Sequence, residues 1–377
     1  AVVTRLDRNG DVRWARTFSG AHRSSALSAI VGAVETRDGR TWVAGTSADG
    51  ATVVELGPTG SVVQRLVFGD EERVTPSAIA LTAADGFVLA GSVERRVSPN
   101  RPIAGGDLWL VQADATGRQE WRILDDVTDE PWAEAPRAID IDPSGYVTVC
   151  GVTRKPGSDF WVARYSNVGG RVTSDTLSGA TEEGHCAGVV SLLGRPTGNS
   201  ERAGLVAVGG NIAPEGLGSV RHSNAQVVYL ELGNAATGDG WDVLQDGDVE
   251  IGAAEDSDEH GLLGELAGGW GADDVLAIGT RPTDLVCPPG ATVDACFRDE
   301  GVLVHLVRDP EHPPGVVMRV DGLVPLAALG LPFAAARGLV RDANGDYLLA
   351  VESAGRWFVL RLAHGALADA FGAATGT

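Results

Sequence analysis

Residues 28–47 read SAIVGAVETRDGRTWVAGTS. A small-then-aliphatic run from Ser28 to Glu35 leads into Asp38-Gly39, and a second apolar run closes on Ala44-Gly45-Thr46. Asp-Gly between two apolar runs signals a tight hairpin, because glycine takes positive φ without steric cost. The pattern returns as SAIALTAADGFVLAGS from Ser77 and as RAIDIDPSGYVTVCGVT from Arg137, with turns at Asp85-Gly86 and Ser144-Gly145. Weaker copies span 186–211, 261–280 and 337–352, the last turning at Asn344-Gly345. Self-similarity at a regular period marks a repeat architecture.

A second hairpin alternates with the first. It reads VVTRLDRNGDVRWARTF from Val2, LWLVQADATGRQEWRIL from Leu108 and FWVARYSNVGGRVTSDT from Phe160, with degenerate copies near Thr52, Val227, Val302 and Trp357. Asp7-x-x-Gly10-x-x-x-Trp14 and Asp114-x-x-Gly117-x-x-x-Trp121 share one spacing. The Asp side chain bonds back to the turn backbone and the Gly supplies its left-handed position. The Trp then sits on the returning strand, placed to pack between neighbouring sheets. Asp7–Asp11 and Asp342–Asp346 resemble calcium loops in composition, but their place in the repeat makes them turns.

One inner and one outer hairpin make a four-stranded blade, so the chain reads as an all-β β-propeller filling residues 1–377. Residues 1–18 are the outer hairpin of an incomplete first blade, and further blades start near 26, 75, 134, 184, 259 and 335. Six complete blades and a half predict a seven-bladed ring. Its missing inner hairpin is expected upstream of Ala1 or from another segment. A six-bladed ring with an accessory N-terminal hairpin is the alternative.

Ala29, Gly39, Val43, Gly45 and Thr46, followed by Asp107, Trp109, Asp114 and Gly117, give the repeat a resemblance to the SBBP and delta-sixty propeller repeats of bacteria. The resemblance covers most of the chain and weakens after Cys186. It implies a secreted or surface-exposed bacterial protein without an assigned chemistry. ADATGRQEW, residues 113–121, is similar to the tryptophan-docking motif of quinoprotein dehydrogenases, but is one residue short between Asp114 and Thr116. That family repeats the motif around its ring and this chain carries one good copy, so no cofactor is expected.

The 377 residues carry a formal net charge of −21. Nucleic acid needs a basic face, so it is excluded as a partner. An anionic membrane surface is excluded for the same reason. The apolar stretch from Gly322 to Ala336 is interrupted by Pro325 and Pro332, and no membrane span is expected. The opening AVVTRLD reads as a strand and not as a secretion signal.

The acid is concentrated in connections that run from an outer strand to the next inner strand: residues 69–76, 125–136, 177–185 and 244–260. The propeller fold puts such connections on one face. Asp125, Asp126, Asp129, Glu130, Glu182 and Glu183, with Trp132 as an aromatic anchor, are the candidate binding residues. Field focusing there suits cations or a basic protein partner. Asp246, Asp248, Glu250, Glu255, Asp256 and Asp258 form the densest run, and calcium is the ion such oxygen ligands suit. Their spacing does not match a twelve-residue helix-flanked loop.

Cys287 and Cys296 flank a Pro/Gly loop and are predicted to form a local disulfide, which places the chain in an oxidising compartment: extracellular, cell-surface or periplasmic. Cys150 occupies the small slot of Ala44 and Ala90, and Cys186 aligns with Ser28, Ser77 and Arg137. A bridge between these two and a pair of free thiols are both open. No G-x-S-x-G, H-E-x-x-H or phosphate-binding Gly loop with Lys is present. His305 and His312 flank an expected turn at Arg308-Asp309-Pro310. The expected function is a non-enzymatic binding or structural module, one part of a larger assembly. A hydrolase or lyase acting on polysaccharide or a small molecule through the acidic face is the alternative.

Overall fold

The computed structural model describes residues 1–7, 11–18, 27–69, 73–94, 106–128, 133–153, 160–177, 182–192, 205–214, 224–232, 241–245, 248–249, 262–268, 274–283, 298–309, 317–331, 335–341, 345–353 and 356–374. The chain is an all-β propeller protein built from consecutive antiparallel sheets. It divides into two compact units, Ala1–Thr176 and Leu177–Thr377.

In the first unit, β1 (Val2–Leu6) and β2 (Val12–Thr17) form a two-stranded hairpin. The first full blade is β3 (Ala29–Glu35), β4 (Thr41–Ser47), β5 (Gly50–Leu56) and β6 (Val62–Phe68). The second is β7 (Arg73–Leu81), β8 (Phe87–Glu94), β9 (Asp107–Ala113) and β10 (Gln119–Asp125). The third is β11 (Glu134–Ile141), β12 (Val147–Thr153), β13 (Phe160–Tyr165) and β14 (Arg171–Thr176). In each blade the strands pair in chain order.

In the second unit, β15 (Glu182–Leu192), β16 (Leu205–Pro214), β17 (Asn224–Leu232) and β18 (Trp241–Gln245) form a blade in which the two-residue β19 (Asp248–Val249) also pairs with β17. The next blade is β20 (Leu262–Gly268), β21 (Val275–Thr283), β22 (Arg298–Asp309) and β23 (Val317–Pro325). The last sheet has three strands, β24 (Ala335–Arg341), β25 (Tyr347–Ser353) and β26 (Arg356–Leu362). A 3-10 turn at Leu326–Leu329 precedes it and helix α1 (His364–Ala374) follows it.

Five sheets therefore hold four or more strands among the described residues, where the repeat predicts six complete blades. The sixth falls short because the chain leaves β26 into α1. Leu367 and Phe371 of that helix fill a cluster with Leu276, Leu303 and Tyr347.

Burial explains the strand patterns. β4, β5, β12 and β13 are buried almost throughout, as continuous apolar runs covered on both faces must be. The fourth strands β6, β10 and β14 are mostly half-buried or exposed. Within each unit the first strand of a blade packs on the first strand of the next: β3 on β7, β7 on β11, β15 on β20 and β20 on β24. The core lies between blades, with Trp42, Phe87 and Trp109 filling one such layer and Trp161 and Tyr165 the next.

The repeat carries a bulge in its first strand. The register shifts at Ile30/Gly32, Pro76/Ala78, Pro136/Ala138, Cys186/Gly188, Leu263/Leu266 and Ala336/Gly338. Opposite it, at Gly45, Gly91 and Gly151, an added Cβ would lie 2.1, 2.5 and 2.6 Å from the carbonyl oxygens of Ala29, Thr75 and Ala135. Only glycine fits that approach, which is why the repeat ends in Gly-Thr, Gly-Ser or Gly-Val.

The hairpin turns show one departure. Gly39, Gly145 and Gly345 take positive φ, but in the Asp85-Gly86 turn it is Asp85 that does so, at 63°. Asp tolerates the left-handed region better than most residues. Gly86 serves a different need, since a Cβ there would meet the Ala113 carbonyl oxygen at 2.2 Å.

Outer strands are strapped to the next blade by side-chain donors. Trp14 Nε1 donates to the Pro58 carbonyl at 3.1 Å, Gln64 Nε2 to that of Thr116 at 2.9 Å, and Trp121 Nε1 to that of Asn167 at 3.0 Å. Each acceptor lies in the outer turn of the following blade. The shared Asp-x-x-Gly-x-x-x-Trp spacing thus encodes a blade-to-blade bond.

Candidate functional site at the β10–β11 connection

Strand β10 ends on Asp125, and the chain crosses to the third blade through Asp126, Val127 and Thr128 before β11 opens on Glu134. The third blade meets this connection with side chains from its outer hairpin. The Tyr165 hydroxyl donates to Asp125 Oδ2 at 2.7 Å. Arg171 pairs with Asp125 Oδ1 at 3.3 Å and donates to the Asp126 carbonyl at 3.0 Å. Burial, then the Asp125 charge, pushes the Tyr165 phenol upward and keeps it a donor. Asp126 is exposed.

Glu134 lies beneath this surface with 1% of its area exposed. Its Oε2 accepts the Leu108 N–H at 3.1 Å. Its Oε1 accepts the Thr128 N–H at 2.9 Å and the Thr128 hydroxyl at 3.3 Å. Its own N–H donates to the Gly106 carbonyl at 2.7 Å. One residue thus ties the start of β9, the connection and the start of β11. Burial pushes its carboxyl up to about 7, against the pull of the backbone N–H donors and with some help from Asp126.

Glu134 was not marked as a binding residue by the repeat, nor were Tyr165 and Arg171. A signal for Glu134 does exist. The bulges at Pro76/Ala78 and Pro136/Ala138 align it with Val74, a buried valine. An acid in an apolar slot of a repeat marks a special role.

Of the predicted face, the structure joins Asp125 and Asp126 to one cluster. Asp129, Glu130 and Trp132 lie outside the described residues. Glu182 and Glu183 are the first residues of β15, their backbones paired with Pro214 and Ala213. In the dense acidic run, Asp248 falls in strand β19 opposite Gln226, while Asp246, Glu250, Glu255, Asp256 and Asp258 lie outside the described residues. Among the described residues no group of three or more His, Cys, Asp or Glu side chains is arranged to hold a metal.

His305 departs from expectation. It lies within β22, not beside a turn, and is buried, while His312 is outside the described residues. Its Nδ1 is 3.2 Å from Asp321 and its Nε2 3.4 Å from Asp274, with the Phe371 ring against it. Both ring nitrogens face carboxylates, so the imidazole ties β22 to β23 and to the residue that precedes β21.

Cys150 and Cys186 are joined in a disulfide. Cys287 and Cys296 lie outside the described residues. No helix among the described residues is long and apolar enough to cross a membrane.

The sheets define the class as a β-propeller. No protein-family model matches the chain, and no curated protein matches its sequence. Among solved structures it is similar to Kuenenia stuttgartiensis hydrazine synthase, at 12% identity and TM-score 0.43, over 92% of this chain and 99% of that one. It is similar to a quinohemoprotein alcohol dehydrogenase from Pseudomonas putida HK5, at 13% identity and TM-score 0.48, over 97% of this chain and 62% of that one. A polysaccharide lyase, ulvan lyase, aligns at 10% identity and TM-score 0.41, over 87% of this chain and 82% of that one.

Proposed function

We propose that this chain is a non-catalytic propeller module, exported to the extracellular space or surface of a bacterium, that binds a basic protein partner through its acidic connections. The observation that carries this reading is the β10–β11 connection. Its backbone and Asp125 are fixed by Arg171 and Tyr165, while Asp126 stays exposed. A rigid rim with outward acid suits recognition of a basic surface. Glu134, whose proton is exchangeable near neutral pH, is too buried to touch a substrate. The Cys150–Cys186 disulfide supports an oxidising compartment. On this reading the N-terminal hairpin is the outer half of a further blade in a single seven-bladed domain.

The test is calorimetric titration with an arginine-rich peptide at low and moderate salt. Replacing Asp125, Asp126, Asp129 and Glu130 by their amides should weaken binding about tenfold or more. The control removes the same charge from Asp11, Glu35, Asp38 and Glu120, exposed acids at the hairpin-turn end of the blades. Equal weakening by both variants would mean that only net charge matters, and the reading fails.

A further inference from the structure

The last sheet exposes a kind of strand that the rest of the chain buries. β26 is third in its sheet, as β9 and β13 are in theirs. Phe358 pairs with Val351 as Trp109 pairs with Gly91 and Trp161 with Gly151. Val351, Gly91 and Gly151 all face the bulge of the first strand, so the three aromatic residues hold equivalent places. Both tryptophans are fully buried, whereas Phe358 is 39% exposed and its neighbours Trp357 and Val359 are 65% and 52% exposed. β10 and β14 cover the outer edges of β9 and β13, but among the described residues no strand pairs with the outer edge of β26. Side chains alternate along a strand, so Trp357 and Val359 lie on one side of the sheet and Phe358 on the other. The edge is therefore apolar on both sides.

The fourth strands at the edges of other blades carry charge: Arg65 in β6, Glu120 and Arg122 in β10, Arg171 and Asp175 in β14. Charge along an edge discourages pairing with another chain, and an exposed apolar edge invites it. Residues 357–360 of β26 carry none. We propose that β26 is the pairing edge of a homodimer, in which a second copy of this chain lays its own β26 antiparallel alongside, about a two-fold axis at Val359.

The strand reads RWFVLRL and complements itself in that register. All seven residues find an opposite: Val359 meets Val359, Phe358 meets Leu360, Trp357 meets Arg361 and Arg356 meets Leu362. Opposite residues share a face and interact. Phe358 and Leu360 of both copies form an apolar row on one face. On the other face the Arg361 guanidinium, held by Asp346 of its own sheet, comes beside the Trp357 ring of the second copy, where a cation–π contact is favourable. Two three-stranded sheets become one sheet of six, and a two-fold contact closes at two copies. Charge selects the same occupant. The net charge of −21 sets two copies against each other over most of their surface. β26 instead carries Arg356 and Arg361 and no acid, so it neither adds to that repulsion nor suits a basic partner. The pairing edge belongs to the last sheet alone and is independent of the acidic connections.

The test is sedimentation velocity of the full chain over roughly 1–100 µM. A monomer–dimer equilibrium is expected. Val359→Lys sets two ammonium groups against each other on the axis and should raise the dissociation constant about tenfold or more. Val63→Lys makes the same change at an exposed valine of β6 and should leave the dimer intact. A monomer at every concentration, growth beyond two copies, a dimer indifferent to Val359→Lys, or equal weakening by Val63→Lys would overturn the proposal. If Val359→Lys does not fold, Trp357→Arg decides: it faces Arg361 of the second copy with a like charge, and an unchanged dimer rejects the pairing.

Discussion

The two ends of the second and third blades use carboxylates in opposite ways. At the hairpin-turn end, Asp114 keeps about a quarter of its side chain in solvent and accepts from Thr116 and from the Arg118 N–H, which holds its carboxyl down to about 2. Asp38, in the β3–β4 turn of the first full blade, is lowered in the same manner by Thr36 and Arg40. At the connection end, Glu134 has comparable donors but is raised, because burial outweighs them. Hydrogen bonds alone do not decide the direction of a shift. The water that remains around the group does.

The largest effect that probes this contrast lies at the turn end, where a carboxylate supports a buried cation. Arg164 is 1% exposed and is paired with Asp142 beneath the Tyr146 ring. Asp142→Ala leaves that guanidinium buried without its carboxylate, and should cost about 3–5 kcal/mol in urea unfolding. A loss below about 1 kcal/mol would show that Arg164 relaxes to solvent and that burial is not decisive there.

Glu134→Gln comes next. Its raised carboxyl means that the folded wild type binds more protons than the unfolded chain between about 4.5 and 7. Stability should therefore decline with rising pH across that window, by up to about 3 kcal/mol. The variant should lack this contribution, and thermal melts at pH 5 and pH 8 measure the difference. The smallest effect is expected from Asp114→Asn. The lowered Asp114 carboxyl contributes stability that is present above its ordinary range and lost as pH falls through about 2. Only acid unfolding profiles should separate this variant from the wild type.

Much of this fold is legible along the chain. Asp38-Gly39 and Ser144-Gly145 announce their hairpins through a glycine at positive φ. Trp14 and Trp121, at a shared distance from their turns, announce a bond that proves to run to the next blade. The acidic connection was visible as Asp125 and Asp126, but its organiser was not. Glu134 is one more acid in an acidic stretch until the bulge register sets it beside Val74. Tyr165 and Arg171 look like ordinary strand residues, because their relation to Asp125 spans 40 and 46 positions and exists only once two blades pack.

The sequence by itself determined the repeat, the all-β class, the hairpin turns and the acidic character of the connections, since these depend on local periodicity and on backbone freedom at single residues. Tertiary structure decided which carboxylates are hydrated and which are buried, that Asp85 and not Gly86 takes the left-handed turn position, that the last sheet ends in a helix, and that Cys150 and Cys186 are bonded. Each of these depends on residues far away along the chain, and solvation and contact with distant strands are not local properties of a sequence.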